Sequence, residues 1–226
     1  MKKIITPTGA TLYKSKYTAN YSPVYISENM SGKMAGFPSI STAVCCNKIC
    51  KARATNPGSI CAHCFAAATV ARYSALRGHL VDNYELLTGR VLSLDELPIF
   101  TTRHPVRLES FGDLANRVQA VNYLNIARAN PENVFTIWTK NPAFIDYAIE
   151  TTGKPANLIC IISSENLNEI TDASRWAWVD HVFTVYTPAH IEAAGVDINC
   201  GARDCGSCMK CYTVGNPVYH ISEKLK

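Results

Sequence analysis

Residues 156–164 read ANLICIISS, with five consecutive apolar side chains from Leu158 to Ile162 closed by two serines. A strand with one wet face alternates apolar and polar residues, so a run without alternation is a strand buried on both faces. Its isoleucines and its shortness favour strand over helix. Three more runs of this kind occur, Val106–Phe111, Val134–Thr139 and Val182–Thr187, and the four starts lie 28, 24 and 24 residues apart. Helix-like segments fill the gaps. The clearest is Asp113–Arg128, with Leu114, Val118, Val121 and Leu124 or Asn125 at near-helical spacing. Asn141-Pro142 and Thr187-Pro188 each read as an N-cap followed by proline in the first turn. Doubly buried strands alternating with helices predict an α/β fold, a parallel sheet with helices packed outside it. A partial (β/α) barrel is the first expectation, ahead of an open doubly wound sheet.

The first hundred residues are less regular. They suggest a strand at Pro23–Ser27, a Gly-, Ser- and Pro-rich loop at Ser31–Thr42, a helix from Cys64 to Arg77 stopped by Gly78, and another from Leu80 to Thr88 stopped by Gly89. With no linker or low-complexity stretch, 1–226 reads as a single domain: an N-terminal segment 1–44, a barrel core 45–199 and a cysteine-rich tail 200–226. The composition, 47% hydrophobic and 18% charged, excludes disorder as the main state. No apolar run approaches the roughly 20 residues of a membrane span. The start, MKKIITPTGATLYKSKY, lacks an apolar stretch of signal-peptide length. A cytoplasmic protein without a membrane partner is the expectation. A net charge of +4 is too weak to announce a nucleic-acid partner.

Ten cysteines stand out. Cys45, Cys46, Cys50, Cys61 and Cys64 form one window and Cys200, Cys205, Cys208 and Cys211 another, while Cys160 lies alone inside LICII as a small buried hydrophobe. Clustering of this kind in a chain neither secreted nor very small favours thiolate metal or cluster binding over disulfides. The tail reads INCGARDCGSCMKCY: four soft ligands in twelve residues, able to close a tetrahedral zinc site or a [4Fe–4S] cubane. Short consecutive spacings in one loop favour the cubane, with zinc as the alternative. In the first window, Cys61-Ala-His63-Cys64 opens a helix, where free amides favour thiolate charge, and Cys50 is the natural third ligand. Cys45 and Cys46 are adjacent, so at most one joins. Three cysteines leave one iron open for chemistry.

KMAGFPSIST, ICAHCFA, RLESFGDL, FTIWTKNP, VFTVYT and INCG...C..C..CY, in this order, resemble the phage "gene product eighty-eight" family over about residues 30 to 215. That family looks like a compact, distant relative of the radical S-adenosylmethionine (SAM) barrels, and its members share cysteines matching Cys50, Cys61 and Cys64. The first cysteine gap here is ten residues where the familiar radical-SAM motif has three, and no GGE-like segment follows. The resemblance implies two [4Fe–4S] clusters and an enzyme that cleaves SAM reductively to act on an unknown substrate in a bacterial host cell. A flavodoxin or ferredoxin would donate the electron, and the cofactor would carry the hard step.

Active sites of such barrels gather at the C-terminal strand ends. Those ends place Glu109 and Lys140 as candidate catalytic residues and Asp113, Ser163 and Ser164 as candidate cofactor contacts. Glu109 and Lys140 end neighbouring strands, and their charges need partners, each other or a bound small molecule. Arg103, His104 and Arg107 read as solvated bases, and Trp138, Trp176 and Trp178 as core. A different class of function stays open: a zinc- or cluster-stabilised protein, not an enzyme, that binds a host factor or nucleic acid.

Overall fold

The computed structural model describes residues 1–225. An antiparallel ribbon, β1 (Lys2–Ile5) with β2 (Thr11–Lys14), stands apart from the main sheet. That sheet comprises β3 (Ser39–Ile40), β4 (Val106–Leu108), β5 (Phe135–Thr139), β6 (Leu158–Ser163), β7 (His181–Tyr186) and β8 (His220–Lys224), each parallel to its neighbour and in sequence order. The strand order never turns back, which removes the doubly wound alternative with its switch point. Right-handed crossovers in a one-way order fall on one face of the sheet. Among the described residues β3 and β8 each have a strand partner on one side only, so the pairing shows a six-stranded sheet and not a closed barrel.

The helices are α1 (Lys48–Ala54), α2 (Phe65–Arg72), α3 (Ser74–Gly89), α4 (Arg117–Arg128), α5 (Pro142–Thr152), α6 (Pro188–Ala194) and α7 (Cys205–Cys208). The two-residue alternation of a strand sorts the sheet's side chains by face. Val106, Leu108, Phe135, Ile137, Leu158 and Cys160 pack with Tyr123, Leu124 and Ala127 of α4 and Ile145 and Ala148 of α5. Their strand neighbours Trp138, Ile159, Ile161 and Phe183 point the other way, onto Phe37 and onto Met209, Cys205, Cys211 and Tyr212 of the tail. ANLICIISS is thus buried on both faces for two different reasons: helices cover one face, the cysteine tail the other. The tail also covers the sheet's edge, because Cys200 N–H donates to Ser222 O (2.9 Å) and Asn199 Nδ2 to His220 O (2.9 Å). A covered edge cannot template pairing with another chain.

Several local expectations are corrected. Pro23–Ser27 is not a strand; Ser22 and Ser27 make single bridges to Tyr13 and Ser39. The stretch 31–42 is not all loop, since it holds a 3-10 turn, Gly32–Met34, and β3. The break between the two alanine- and leucine-rich helices falls at Tyr73, and Gly78 lies inside α3. The helix expected from Asp113 starts at Arg117, capped by Asn116, whose side chain accepts from Gln119 N–H (2.9 Å). The proline signals hold: Pro142 and Pro188 open α5 and α6, and the Thr187 hydroxyl accepts from His190 N–H (3.3 Å). No helix among the described residues is long and apolar enough to cross a membrane.

Candidate functional site

The first cysteine window is fastened across the C-terminal ends of β4, β5 and β6. Cys50 is buried on α1, whose N-cap Asn47 accepts from Ile49 N–H (2.9 Å) and donates its Nδ2 to Asp113 O (2.9 Å). One turn on, Arg53 reaches three strand ends. Its Nε meets Glu165 Oε2 at 2.5 Å, its Nη2 donates to Lys140 O (3.0 Å) and its Nη1 lies 3.8 Å from Asp113 Oδ2. Cys61 follows Ser59, which is buried and whose hydroxyl donates to Glu165 O (3.3 Å) while accepting from Cys61 N–H (3.1 Å). Ile60 N–H donates to the same carbonyl (2.9 Å). Cys64 stands at the N-cap of α2. Burial first, then the fields of Asp113 and Cys61, push the Cys50 thiol well above its usual range, while Lys140 pulls it down and Glu109 raises it. The bonds of Asn47, Arg53 and Ser59 thus set Cys50 and Cys61 beside Asp113, Lys140 and Glu165.

Asp113 is buried and organises the strand ends. Its carboxylate accepts from Leu114 N–H (2.8 Å), the Thr139 hydroxyl (2.6 Å) and Lys140 N–H (3.1 Å). Glu109 is enclosed and makes no ion pair with Lys140; four hydrogen bonds take the place of the expected partner. Thr42 donates its N–H (3.2 Å) and its hydroxyl (3.0 Å), Gln119 its Nε2 (2.6 Å) and Tyr123 its phenol. Alternation would send Glu109 to the same face as Arg107. A backbone φ of 58° turns it instead toward α4, a left-handed conformation costing about 1–3 kcal/mol for a residue with a side chain. Burial without a cation pushes its carboxyl up to about 7, against the pull of Tyr123 and Thr42. Gly112 makes room: a Cβ there would strike Glu109 Oε2 and lie 2.8 Å from Thr42 O. Ser163 and Ser164 are buried at the end of β6. The Ser164 hydroxyl is engaged with Thr184 Oγ1 (2.9 Å) and Thr171 N–H (3.1 Å), a loop-holding role.

All four cysteines of the second window, Cys200, Cys205, Cys208 and Cys211, line one cavity of about 30 Å³. Asp204 caps α7 by accepting from Ser207 N–H (2.8 Å), and Met209 turns the chain at φ 54° toward Cys211 and Tyr212. Tyr212, buried, anchors the tail on the sheet at 4.8 Å from the Phe37 ring and 5.6 Å from Trp138. Two cations flank the thiols. Lys33 Nζ donates to Cys200 O (3.1 Å), approaches Cys200 Sγ at 3.5 Å and pairs with Glu223 (2.7 Å). The Arg107 guanidinium lies 3.3 Å over the Trp138 ring, not in open solvent as its sequence context suggested. Burial pushes the Cys211 thiol up to about 12, and Arg107 opposes it.

By donor chemistry both sets suit a soft metal or an iron–sulfur cluster. Among the described residues no three His, Cys, Asp or Glu side chains already stand at metal-binding spacing, so a bound group would have to draw the thiols around itself. Residues the sequence reading passed over are Arg53, Thr42, Gln119, Tyr123 and Lys33. Arg53 was findable, since i and i+3 share a helix face and it follows Cys50 by three. Gln119 and Tyr123 were not, because the spacing drew the apolar stripe through Val118 and Val121, whereas α4 buries Gln119, Ala120, Tyr123, Leu124 and Ala127. Lys33 carries no such signal. No curated protein and no solved structure matches the chain. The family model described as Gene product 88 matches residues 6–224, and the chain belongs to that family.

Proposed function

We propose that the protein is an iron–sulfur enzyme of radical-SAM type, its sheet curved as a partial barrel, with Cys50, Cys61 and Cys64 holding one [4Fe–4S] cluster and Cys200, Cys205, Cys208 and Cys211 a second. The observation that carries this reading is the gathering of Cys50 and Cys61 with Arg53, Asp113, Lys140 and Glu165 at the C-terminal ends of three adjacent parallel strands, where α/β proteins place their chemistry. A three-cysteine cluster supplies one-electron reduction of a bound sulfonium such as that of SAM. The chain's own groups set the stage. Arg53 locks the cysteine-bearing helix to the strand ends, Asp113 orders the turn into Lys140, and Lys140 offers an ammonium to a ligand carboxylate. Glu109 acts from beneath, holding the loop from 109 to 113 through Thr42 and α4. Lys33 and Arg107 offset the negative charge that four thiolates bring to the tail centre.

Anaerobic reconstitution with metal analysis tests this. About eight irons per chain, the content of two cubanes, and release of deoxyadenosine from SAM under reduction are the expected result. A colourless protein with stoichiometric zinc and no SAM cleavage overturns it. That outcome would favour the second reading, a zinc-stabilised binding protein, which rests on four tail cysteines lining one small cavity, a donor set a tetrahedral ion closes equally well.

A further inference from the structure

Between Asn29 and Val81 the chain has no Asp or Glu, yet it carries Lys33, Lys48, Lys51, Arg53, Arg72 and Arg77. The whole chain has 22 Lys and Arg against 18 Asp and Glu, so these six leave sixteen against eighteen elsewhere. All of the excess positive charge therefore lies in the span that holds the first cysteine window. Lys33 and Arg53 are taken up by Glu223 and Glu165. Lys48, Lys51, Arg72 and Arg77 are exposed, and none has an ion pair or side-chain hydrogen bond among the described residues.

These cations share their segment with exposed rings. Phe65 is 68% exposed and Tyr73 51%, and the Arg72 guanidinium lies 5.4 Å from the Tyr73 ring centroid. The elements are drawn together beneath the surface: Cys46, Val70, Leu76, Leu80 and Phe111 pack in one cluster, and the Phe65 ring lies 6.3 Å from that of Phe111.

We infer that this surface, from α1 to the start of α3, binds single-stranded nucleic acid, with phosphates on Lys48, Lys51, Arg72 and Arg77 and bases stacked on Phe65 and Tyr73. Interleaved cations and water-exposed rings are what a flexible strand of phosphates and flat bases needs. An acidic protein would satisfy the cations as well, but the alternation of cations with exposed rings matches the alternation of phosphate and base along a strand. The inference goes beyond the proposed enzyme and stands whatever the thiols hold.

The test is fluorescence anisotropy of a labelled mixed-sequence DNA strand of about 15 nucleotides with the full-length protein, across a salt series. Four cations on phosphates predict a slope of log Kobs against log salt of about −3. The pair K48A/K51A should flatten that slope by about 1.4, because each lost phosphate contact removes about 0.7. F65A and Y73A should each weaken binding about fivefold or more and leave the slope unchanged. Every substituted side chain is exposed, so thermal unfolding of the variants should match the parent. Absence of binding at about 50 mM salt overturns the inference. So does undiminished binding by F65A and Y73A, which would reduce the contact to charge on phosphates and remove the base stacking.

Discussion

Glu109 makes stability fall as pH rises, the reverse of an ordinary salt-bridged carboxylate. Its carboxyl stands at about 7 in the fold against an ordinary 4.5, so the native state binds the proton more tightly than the unfolded chain. That preference contributes its full stability below pH 4.5 and is lost as pH rises through about 7. A rise from 4.5 to about 7 corresponds to about 3 kcal/mol. Glu109→Gln removes the titration. The amide has a fixed cost of its own: Gln119 uses its Oε1 to accept from Ala115 N–H (2.8 Å), so its Nε2 can only donate, as Thr42 N–H can. One oxygen of residue 109 faces each donor, and an NH₂ in either place leaves a buried bond unmade, a pH-independent loss of about 1–3 kcal/mol. Urea unfolding of both proteins in the same metal state, from pH 4.5 to 8 under reducing conditions, isolates the group. The difference should move in favour of the Gln variant by about 3 kcal/mol over that range. A difference that stays flat, or moves the other way, would refute an uncompensated buried carboxyl at this position.

Cys208→Ser should abolish metal retention by the tail and lower thermal stability by several kcal/mol, since binding energy at a structural site is folding energy. Cys61→Ala should remove about half the iron, whereas Cys46→Ala, whose side chain packs with Val70 and Leu80, should remove none; metal analysis of both variants checks this. Gly112→Ala should cost about 1–3 kcal/mol or more, read from the urea midpoint, because the methyl meets Thr42 O at 2.8 Å and that carbonyl is backbone. Lys33→Met should weaken metal retention about 10- to 100-fold in chelator competition, with Lys33→Arg retaining most of it. If the tail centre is redox-active, Lys33→Met should also make its potential more negative, a change that lost packing alone would not produce.

The parallel sheet was legible because its central strands report burial directly: Leu158–Ser163 has the ends the apolar run marks, and β5 and β7 agree within a residue. β3 and β8 were not legible. Ser39–Ile40 is two residues long, and His220–Lys224 alternates too weakly to announce a strand, since its place depends on β7 and on the tail. The Gly78 stop failed because a glycine inside a helix costs only about 1 kcal/mol, less than α3 gains by burying Leu80 and Leu87. At the strand ends, residue identity was readable and partnership was not. Glu109 and Lys140 end neighbouring strands, yet the left-handed turn at Glu109 delivers its carboxylate to Gln119 and Tyr123, a redirection that a strand pattern does not encode.

The two thiol sets lie about 150 residues apart in sequence, and each is tied to the same sheet by bonds that do not involve sulfur. Arg53 and Ser59 hold the first to the ends of β4, β5 and β6. The second is held at the edge of β8 by Asn199 and Cys200, and beneath the sheet by Tyr212, which packs on Trp138. Trp138 is followed by Thr139, whose hydroxyl bonds Asp113, the carboxylate beside Arg53. A short path of packed and hydrogen-bonded groups thus runs from the tail thiols through β5 to the first set. β5 is the strand that lies between the two thiol sets, with Trp138 packed against Tyr212 of the tail and Thr139 bonded to the carboxylate beside Arg53.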